Sequence, residues 1–132
     1  MKLLIDTNIF LEVLLEQEKA IEASEFLTKA NDYSFFITDF SLHSIGLILF
    51  SKKKHKQYQE FCDDIFLEAG INLLSLEVDD NNQLCKNSQS YNLDFDDAYQ
   101  YTAAEKFDLH IVSFDKDFEK TPRGRKLPGE IQ

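Results

Sequence analysis

Four short apolar segments, separated by stretches in which apolar residues recur at helical spacing, constrain the fold of this 132-residue chain most strongly. They span residues 2–5, 34–38, 71–75 and 109–113. Continuous apolar runs of this length are typical of strands that are buried on both faces. Strands that alternate with helices predict a parallel sheet covered by helices on both sides. We therefore expect an α/β fold, a three-layer α/β/α sandwich around a central, mostly parallel sheet of four to five strands.

The segments between these runs predict six helices and a turn-rich tail. The first two helices form a hairpin, and the fourth has the clearest amphipathic spacing of apolar residues. The fifth is polar, and Asp94 is placed to cap the sixth. The expected helices span 8–17, 19–30, 42–51, 55–69, 77–90 and 95–106, and the tail over 121–132 has room for a fifth short strand.

Composition indicates a single globular domain over residues 1–132, and the cytoplasm is the expected location. Apolar residues make up 43% of the chain, which suits one core at this length. Asp6 interrupts the first apolar run too early for a signal peptide, and no run of ~18 apolar residues predicts a membrane span. Cys62 and Cys85 lack a metal-binding or redox spacing. The net charge of −10 excludes a generic nucleic-acid clamp, but it permits phosphate chemistry at a bound metal ion.

Acidic residues follow or approach two of the predicted strands. Asp6 ends the first strand, Asp115 follows the fourth, and Asp96 and Asp97 open the helix that leads into the fourth. Each acid alone also fits a helix cap or a turn. In a parallel sheet, however, ligands bind beyond the carboxyl ends of the strands, where these acids would meet. Clustered carboxylates repel one another, and a divalent cation such as Mg²⁺ or Mn²⁺ would offset that repulsion.

Two segments, LLIDTNIF at 3–10 and DDAYQYTAAEKFDLHIVSFDKDF at 96–118, resemble the PIN domain family. The family's patterns are a strand followed by D-[TS]-[NS], a D-A pair that opens a helix, and a [TS]-x-D-x-D-F segment. The matching residues are Asp6, Thr7, Asn8, Asp97, Ala98, Ser113, Asp115, Asp117 and Phe118. The two segments occur in the expected order, so the resemblance covers nearly the whole chain, as in single-domain toxins of VapBC-like pairs.

The resemblance implies a metal-dependent endoribonuclease that cuts RNA with Mg²⁺ or Mn²⁺. Carried over to this sequence, the catalytic metal ligands are Asp6, Asp97 and Asp115, with Asp117 as an outer ligand. Supporting roles fall to Asn8, Ser113 and Asp96 in the matched segments, and to His43 and Ser44 on the helix after the second strand. The resemblance also implies an antitoxin protein as partner and a homodimer, whose face we expect among the apolar residues of helices 8–17, 42–51 and 55–69.

One position departs from the family pattern. The family carries a Glu on the helix after the second strand, where this chain has Ser44. His43 is its neighbour and could donate to phosphate or ligate a metal, although an ordinary helix histidine is the simpler interpretation. Asp39 lies nearby as an uncertain substitute. The missing carboxylate keeps an alternative open, namely a catalytically weak or inactive PIN-like domain that acts through protein binding.

Two basic clusters would supply the phosphate contacts if RNA is the substrate. Their members are Lys52, Lys53, Lys54 and Lys56 in the first cluster, and Arg123, Arg125 and Lys126 in the second. Other α/β metal or nucleotide proteins fit less well. A haloacid-dehalogenase-like phosphatase would need an acid at Asn8, a receiver domain would need an Asp after the strand at 71–75, and a Rossmann domain would need glycines after the first strand.

Overall fold

The computed structural model of the protein describes all residues from 1 to 132 and contains one parallel sheet of four strands. The strand order is β3-β2-β1-β4, so the first strand lies inside the sheet and the third and fourth lie at its edges. The strands are β1 (Lys2–Ile5), β2 (Ser34–Thr38), β3 (Asn72–Leu74) and β4 (His110–Val112). This architecture confirms the α/β fold with a parallel sheet of four to five strands.

The tail supplies only a fragment of the fifth strand for which the sequence has room. Lys126 forms an isolated parallel bridge with Val112, and its backbone nitrogen donates to the carbonyl of Ile111 at 2.7 Å. The backbone nitrogen of Ser113 returns a bond of 3.0 Å to the carbonyl of Lys126. Prolines and glycines on both sides of this point prevent a longer ladder. The tail therefore covers the β4 edge at one residue rather than along a strand.

Six α-helices surround the sheet at the expected places in the chain. They are α1 (Thr7–Leu14), α2 (Ala20–Leu27), α3 (Asp39–Ser51), α4 (His55–Cys62), α5 (Asn81–Tyr91) and α6 (Phe95–Phe107). The helix expected over 55–69 is divided, because a π-helical segment follows α4 over Asp63–Glu68. The first helix ends earlier than expected, since Glu16 adopts a positive φ of 51° and cannot continue it.

The core lies in two layers, one on each face of the sheet. Leu3 and Ile5 point to the side of α1 to α4, whereas Leu4 between them points to the side of α5 and α6. All three side chains are fully buried, which explains why β1 is apolar at every position instead of alternating. None of the helices is long and apolar enough to cross a membrane.

Candidate active site

A cavity of about 250 Å³ opens at the carboxyl end of the sheet, where β1 and β4 end side by side. Four of its residues are acids and none is basic, so its electrostatic character is strongly negative. The lining residues are Asp6, Thr7, Asn8, Leu11, Phe40, Ser44, Ile48, Asp96, Asp97, Gln100 and Asp115. The structure therefore brings the three acids predicted as metal ligands to a single cavity.

Asp6 is the most constrained of these acids. It follows β1 and caps α1, and Oδ1 accepts hydrogen bonds from the backbone nitrogen of Thr7 at 2.9 Å and from Nε2 of Gln100 at 3.0 Å. Oδ2 accepts the hydroxyl of Ser113 at 2.6 Å. Burial raises the pKa of Asp6 above its usual value, although these three donors oppose the rise. A carboxylate has about four acceptor positions, so one position on Oδ2 remains for a cation.

Gln100 was not predicted from the sequence, yet it connects Asp6 to α3. Its Nε2 also donates to the hydroxyl of Ser41 at 2.8 Å, and its Oε1 accepts the hydroxyl of Thr38 at 2.7 Å. The side chain is almost fully buried and all its polar atoms are satisfied. Its position three residues after Asp97, on the same face of α6, is the sequence signal that could have identified it.

Asp97 lies in the first turn of α6, and its backbone nitrogen donates to the cap residue Asp94 at 3.0 Å. Its side chain is only 7% exposed. Burial, together with the nearby carboxylates of Asp115, Asp94 and Asp6, raises the pKa of Asp97 to about 8. In the absence of a cation, Asp97 therefore holds a proton at neutral pH. This proton offsets the repulsion among the carboxylates, which a bound cation would offset in its place.

Asp97, Asp115 and Asp117 each place a carboxylate oxygen within 4.8 Å of the other two. In an octahedral Mg²⁺ site with bonds of about 2.1 Å, opposite ligands lie roughly 4.2 Å apart. The three oxygens are therefore close to the spacing of a shared ion, and hard oxygen donors suit Mg²⁺ or Mn²⁺. By spacing and donor type, the residues present fit a divalent cation.

Ser113 and Asn8 connect the acids to the fold. The Ser113 hydroxyl accepts from the backbone nitrogen of Asp115 at 2.9 Å and from Nδ2 of Asn8 at 3.2 Å, while donating to Asp6. Oδ1 of Asn8 accepts the backbone nitrogen of Phe114 at 3.3 Å. These bonds hold the start of α1 against the segment after β4.

The residues near position 44, where the family has a Glu, lie on different sides of α3. Ser44 lines the acidic cavity, so the position where the family has a carboxylate does face the site. Asp39 is engaged elsewhere, because its Oδ1 accepts the Tyr99 hydroxyl at 2.6 Å. His43 lies apart from the acids, in a separate groove beside Leu47 and Tyr58. The structure therefore brings Ser44 to the acids but neither Asp39 nor His43.

No basic side chain lines the cavity, and the predicted phosphate-binding residues differ in availability. Arg123 pairs with Asp108 at 2.8 Å, and Arg125 pairs with Glu119 at 2.8 Å. The lysine cluster begins where α3 ends and is exposed, although Lys56 lies 3.9 Å from Glu60. The members of that cluster are Lys52, Lys53, Lys54 and Lys56. Ile48 lines the acidic cavity and lies one helical turn before Lys52, so the lysine cluster begins close to the acids.

Fold and cavity together define an α/β protein with an acidic site at the carboxyl ends of parallel strands. The PIN domain model matches residues 3–124, which is nearly the whole chain. The protein therefore belongs to the PIN domain family. No curated protein sequence matches it significantly.

Solved structures share this fold at low sequence identity. A toxin-antitoxin complex from Klebsiella pneumoniae matches with a TM-score of 0.71 and 22% identity, over 95% of this chain and 96% of that one. VapBC2 from Rickettsia felis, bound to a promoter DNA fragment, matches with a TM-score of 0.75 and 15% identity over the same shares. The sarcin-ricin loop cleaving toxin VapC20 from Mycobacterium tuberculosis matches with a TM-score of 0.73 and 14% identity, over 89% of this chain and 92% of that one. These similarities confirm the PIN fold.

Proposed function

We propose that this protein is a divalent-metal-dependent endoribonuclease and the toxin of a toxin–antitoxin pair, acting on RNA in the cytoplasm. The observation that carries the proposal is the group of carboxylate oxygens from Asp97, Asp115 and Asp117, which lie within 4.8 Å of one another beside Asp6. Three structures with the same fold come from toxin–antitoxin systems, and one of them is described as cleaving the sarcin-ricin loop. These relatives support RNA as the substrate class.

Asp97 and Asp115 would hold Mg²⁺ or Mn²⁺, Asp6 would contribute its one free acceptor position, and Asp117 would serve as an outer ligand. Such an ion lowers the pKa of bound water and stabilises charge on phosphate oxygens. Asp97 must lose its proton for a cation to bind, because only the ionised carboxylate is a good ligand. Ser113 and Asn8 orient these acids through their hydrogen bonds.

The test is cleavage of a mixed RNA pool with Mn²⁺ by the wild type, Asp6→Asn and Asp115→Asn. Asparagine keeps the shape but removes the charge that holds a hard cation, so we expect the cleavage rate to fall by roughly a hundredfold in both variants. Asp32→Asn is the matched control, since Asp32 is exposed and lies outside the cavity. Cleavage that persists unchanged in Asp6→Asn would show that the activity belongs to another site or to a contaminant.

A second candidate function is protein binding by a catalytically weak PIN domain. Ser44 favours it, because this residue leaves the cavity one carboxylate short of the family pattern. An apolar groove of about 390 Å³ between α1, α2 and α4, lined by Phe10, Leu14 and Phe61 among others, is a suitable surface for an antitoxin segment. Titration of Mn²⁺ into the protein separates the candidates, since the absence of binding would favour this second function.

We also propose a homodimer through the outer face of α3. Leu47 is 75% exposed and Phe50 is 50% exposed there, beside the groove that contains Gly46 and Tyr58. Phe61 and Ile65, which belong with Tyr58 to the helix expected over 55–69, are buried in the core and do not contribute. Light scattering at micromolar concentration should give a dimer for the wild type and a monomer for Leu47→Glu, while Leu67→Glu, which changes another exposed leucine, should remain dimeric. A monomeric wild type would contradict the dimer.

A further inference from the structure

A cluster of three aromatic rings lies at the rim of the acidic cavity. Phe95 is the first residue of α6, directly before Asp96 and Asp97, and its side chain is 56% exposed. Its ring lies 5.9 Å from that of Phe40, which itself lines the cavity. The exposed ring therefore lies next to a ring that lines the acidic cavity.

The cluster is held in place by polar contacts behind it. The Tyr99 ring lies 5.6 Å from Phe40 and 6.1 Å from Phe95. The Tyr99 hydroxyl donates to Asp39 at 2.6 Å and accepts the backbone nitrogen of Leu76 at 3.0 Å. Tyr99 is thus fixed between α3 and the segment after β3. Phe95 is supported on one side while its other side faces solvent.

The charge distribution around the cavity favours a contact with RNA that does not depend on phosphate attraction. The chain carries a net charge of −10, its cavity is lined by four acids, and both arginines of the C-terminal cluster are already paired. The cavity lining therefore offers no cation to a phosphate, and the exposed lysine cluster lies outside it, at the end of α3. Stacking of bases on aromatic rings does not depend on net charge, and it is a major source of affinity for single-stranded RNA.

We propose that Phe95, supported by Phe40 and Tyr99, stacks on an unpaired nucleobase of an RNA whose phosphate lies in the acidic cavity. This inference rests on the proposed ribonuclease function and adds a subsite to it. It predicts that the substrate is unpaired beside the cleaved bond, because a base within a duplex cannot expose its face to the ring. The subsite tolerates any base, since every base has a face that can stack.

The test measures KM and kcat on a single-stranded RNA oligonucleotide with Mn²⁺ for the wild type and Phe95 variants. We expect Phe95→Ala to raise KM by roughly tenfold, which corresponds to about 1.4 kcal/mol, with a much smaller change in kcat. Phe95→Trp should keep the wild-type KM, while Phe95→Leu, which preserves apolar contacts with Phe40, should behave like Phe95→Ala. Ile21→Ala is the control, because Ile21 is also largely exposed but lies on α2, outside the cavity lining.

A scan of abasic substitutions through the same RNA separates stacking from a structural role. Removal of the base at one position of the RNA should raise KM for the wild type. The same abasic RNA should cause no further rise in KM for Phe95→Ala, since the ring and the base act as a pair. Mn²⁺ affinity should be equal in all Phe95 variants. An unchanged KM in Phe95→Ala would overturn the stacking subsite while the nuclease assignment stands. A rise in the wild-type KM that is equal at every abasic position would do the same. A wild type that neither binds Mn²⁺ nor cuts RNA would overturn both.

Discussion

The hydroxyl of Ser113 donates a 2.6 Å hydrogen bond to Oδ2 of Asp6, joining residues that are 107 positions apart in the chain. The bond forms because β1 and β4 are adjacent parallel strands that end together, with Ile5 paired to Val112. The neutral Ser113 hydroxyl thereby stabilises the buried Asp6 carboxylate, which the nearby Asp115 carboxylate destabilises. The parallel topology and the acidic site are in this way directly linked.

Ser113→Ala should destabilise the protein by about 1–3 kcal/mol, because Asp6 would lose a hydrogen bond to a buried charged group. Urea unfolding followed by circular dichroism measures this difference. Ser51→Ala is the control, since the exposed Ser51 hydroxyl bonds only to a backbone carbonyl of its own helix. Equal changes in the two variants would show that the Asp6 contact contributes nothing specific.

Gln100→Leu should destabilise the protein more strongly than Ser113→Ala does. The substitution keeps the approximate volume but removes three hydrogen bonds, leaving Asp6, Ser41 and Thr38 each with one partner fewer in a buried region. A loss of about 3 kcal/mol or more is expected in the same unfolding assay. Gln89→Leu, an exposed position on α5, provides the comparison and should change stability little.

Ser44→Glu should restore a carboxylate to the cavity and tighten Mn²⁺ binding, with higher RNA cleavage as the consequence. Without metal the same variant should be less stable than the wild type, because a further negative charge faces Asp97 and Asp115. Calorimetric titration with Mn²⁺ and thermal unfolding with and without the ion measure both effects. Ser51→Glu adds the same charge to α3 outside the cavity, so a similar gain in that control would contradict a specific role of position 44.

The elements that could be predicted from sequence are those whose signals are local. Strand β1 was recognisable because both faces of the sheet bury it, and the acids of its site followed from their positions after strands. Gln100 was not predicted, because its place on the Asp97 face of α6 does not reveal its partners Asp6, Ser41 and Thr38, which are 59 to 94 positions away. The π-helical segment after Cys62 was also missed, since the apolar spacing continues through it unchanged.

The stability of the metal-free protein should fall as the pH rises from 5 to 8. Asp97 has a pKa of about 8 in the folded protein and an ordinary value near 3.8 when unfolded. Over this range the folded state therefore binds more protons than the unfolded state, so the free energy of unfolding decreases with pH. The lowered pKa values of Asp80 and Asp108 act in the opposite direction, but their contribution is lost only in more acidic solution.

Excess Mn²⁺ should reverse this pH dependence. The cation binds only the ionised carboxylates of the folded state, and the ionised fraction rises with pH, so the stabilisation by Mn²⁺ also rises with pH. Urea unfolding at several pH values, with and without Mn²⁺, measures both slopes. Asp97→Asn keeps the shape but cannot ionise, so it should flatten the slope, exceed the wild-type stability at pH 8 without metal and gain little from Mn²⁺. Identical slopes in the wild type and Asp97→Asn would show that Asp97 neither carries the proton nor holds the ion.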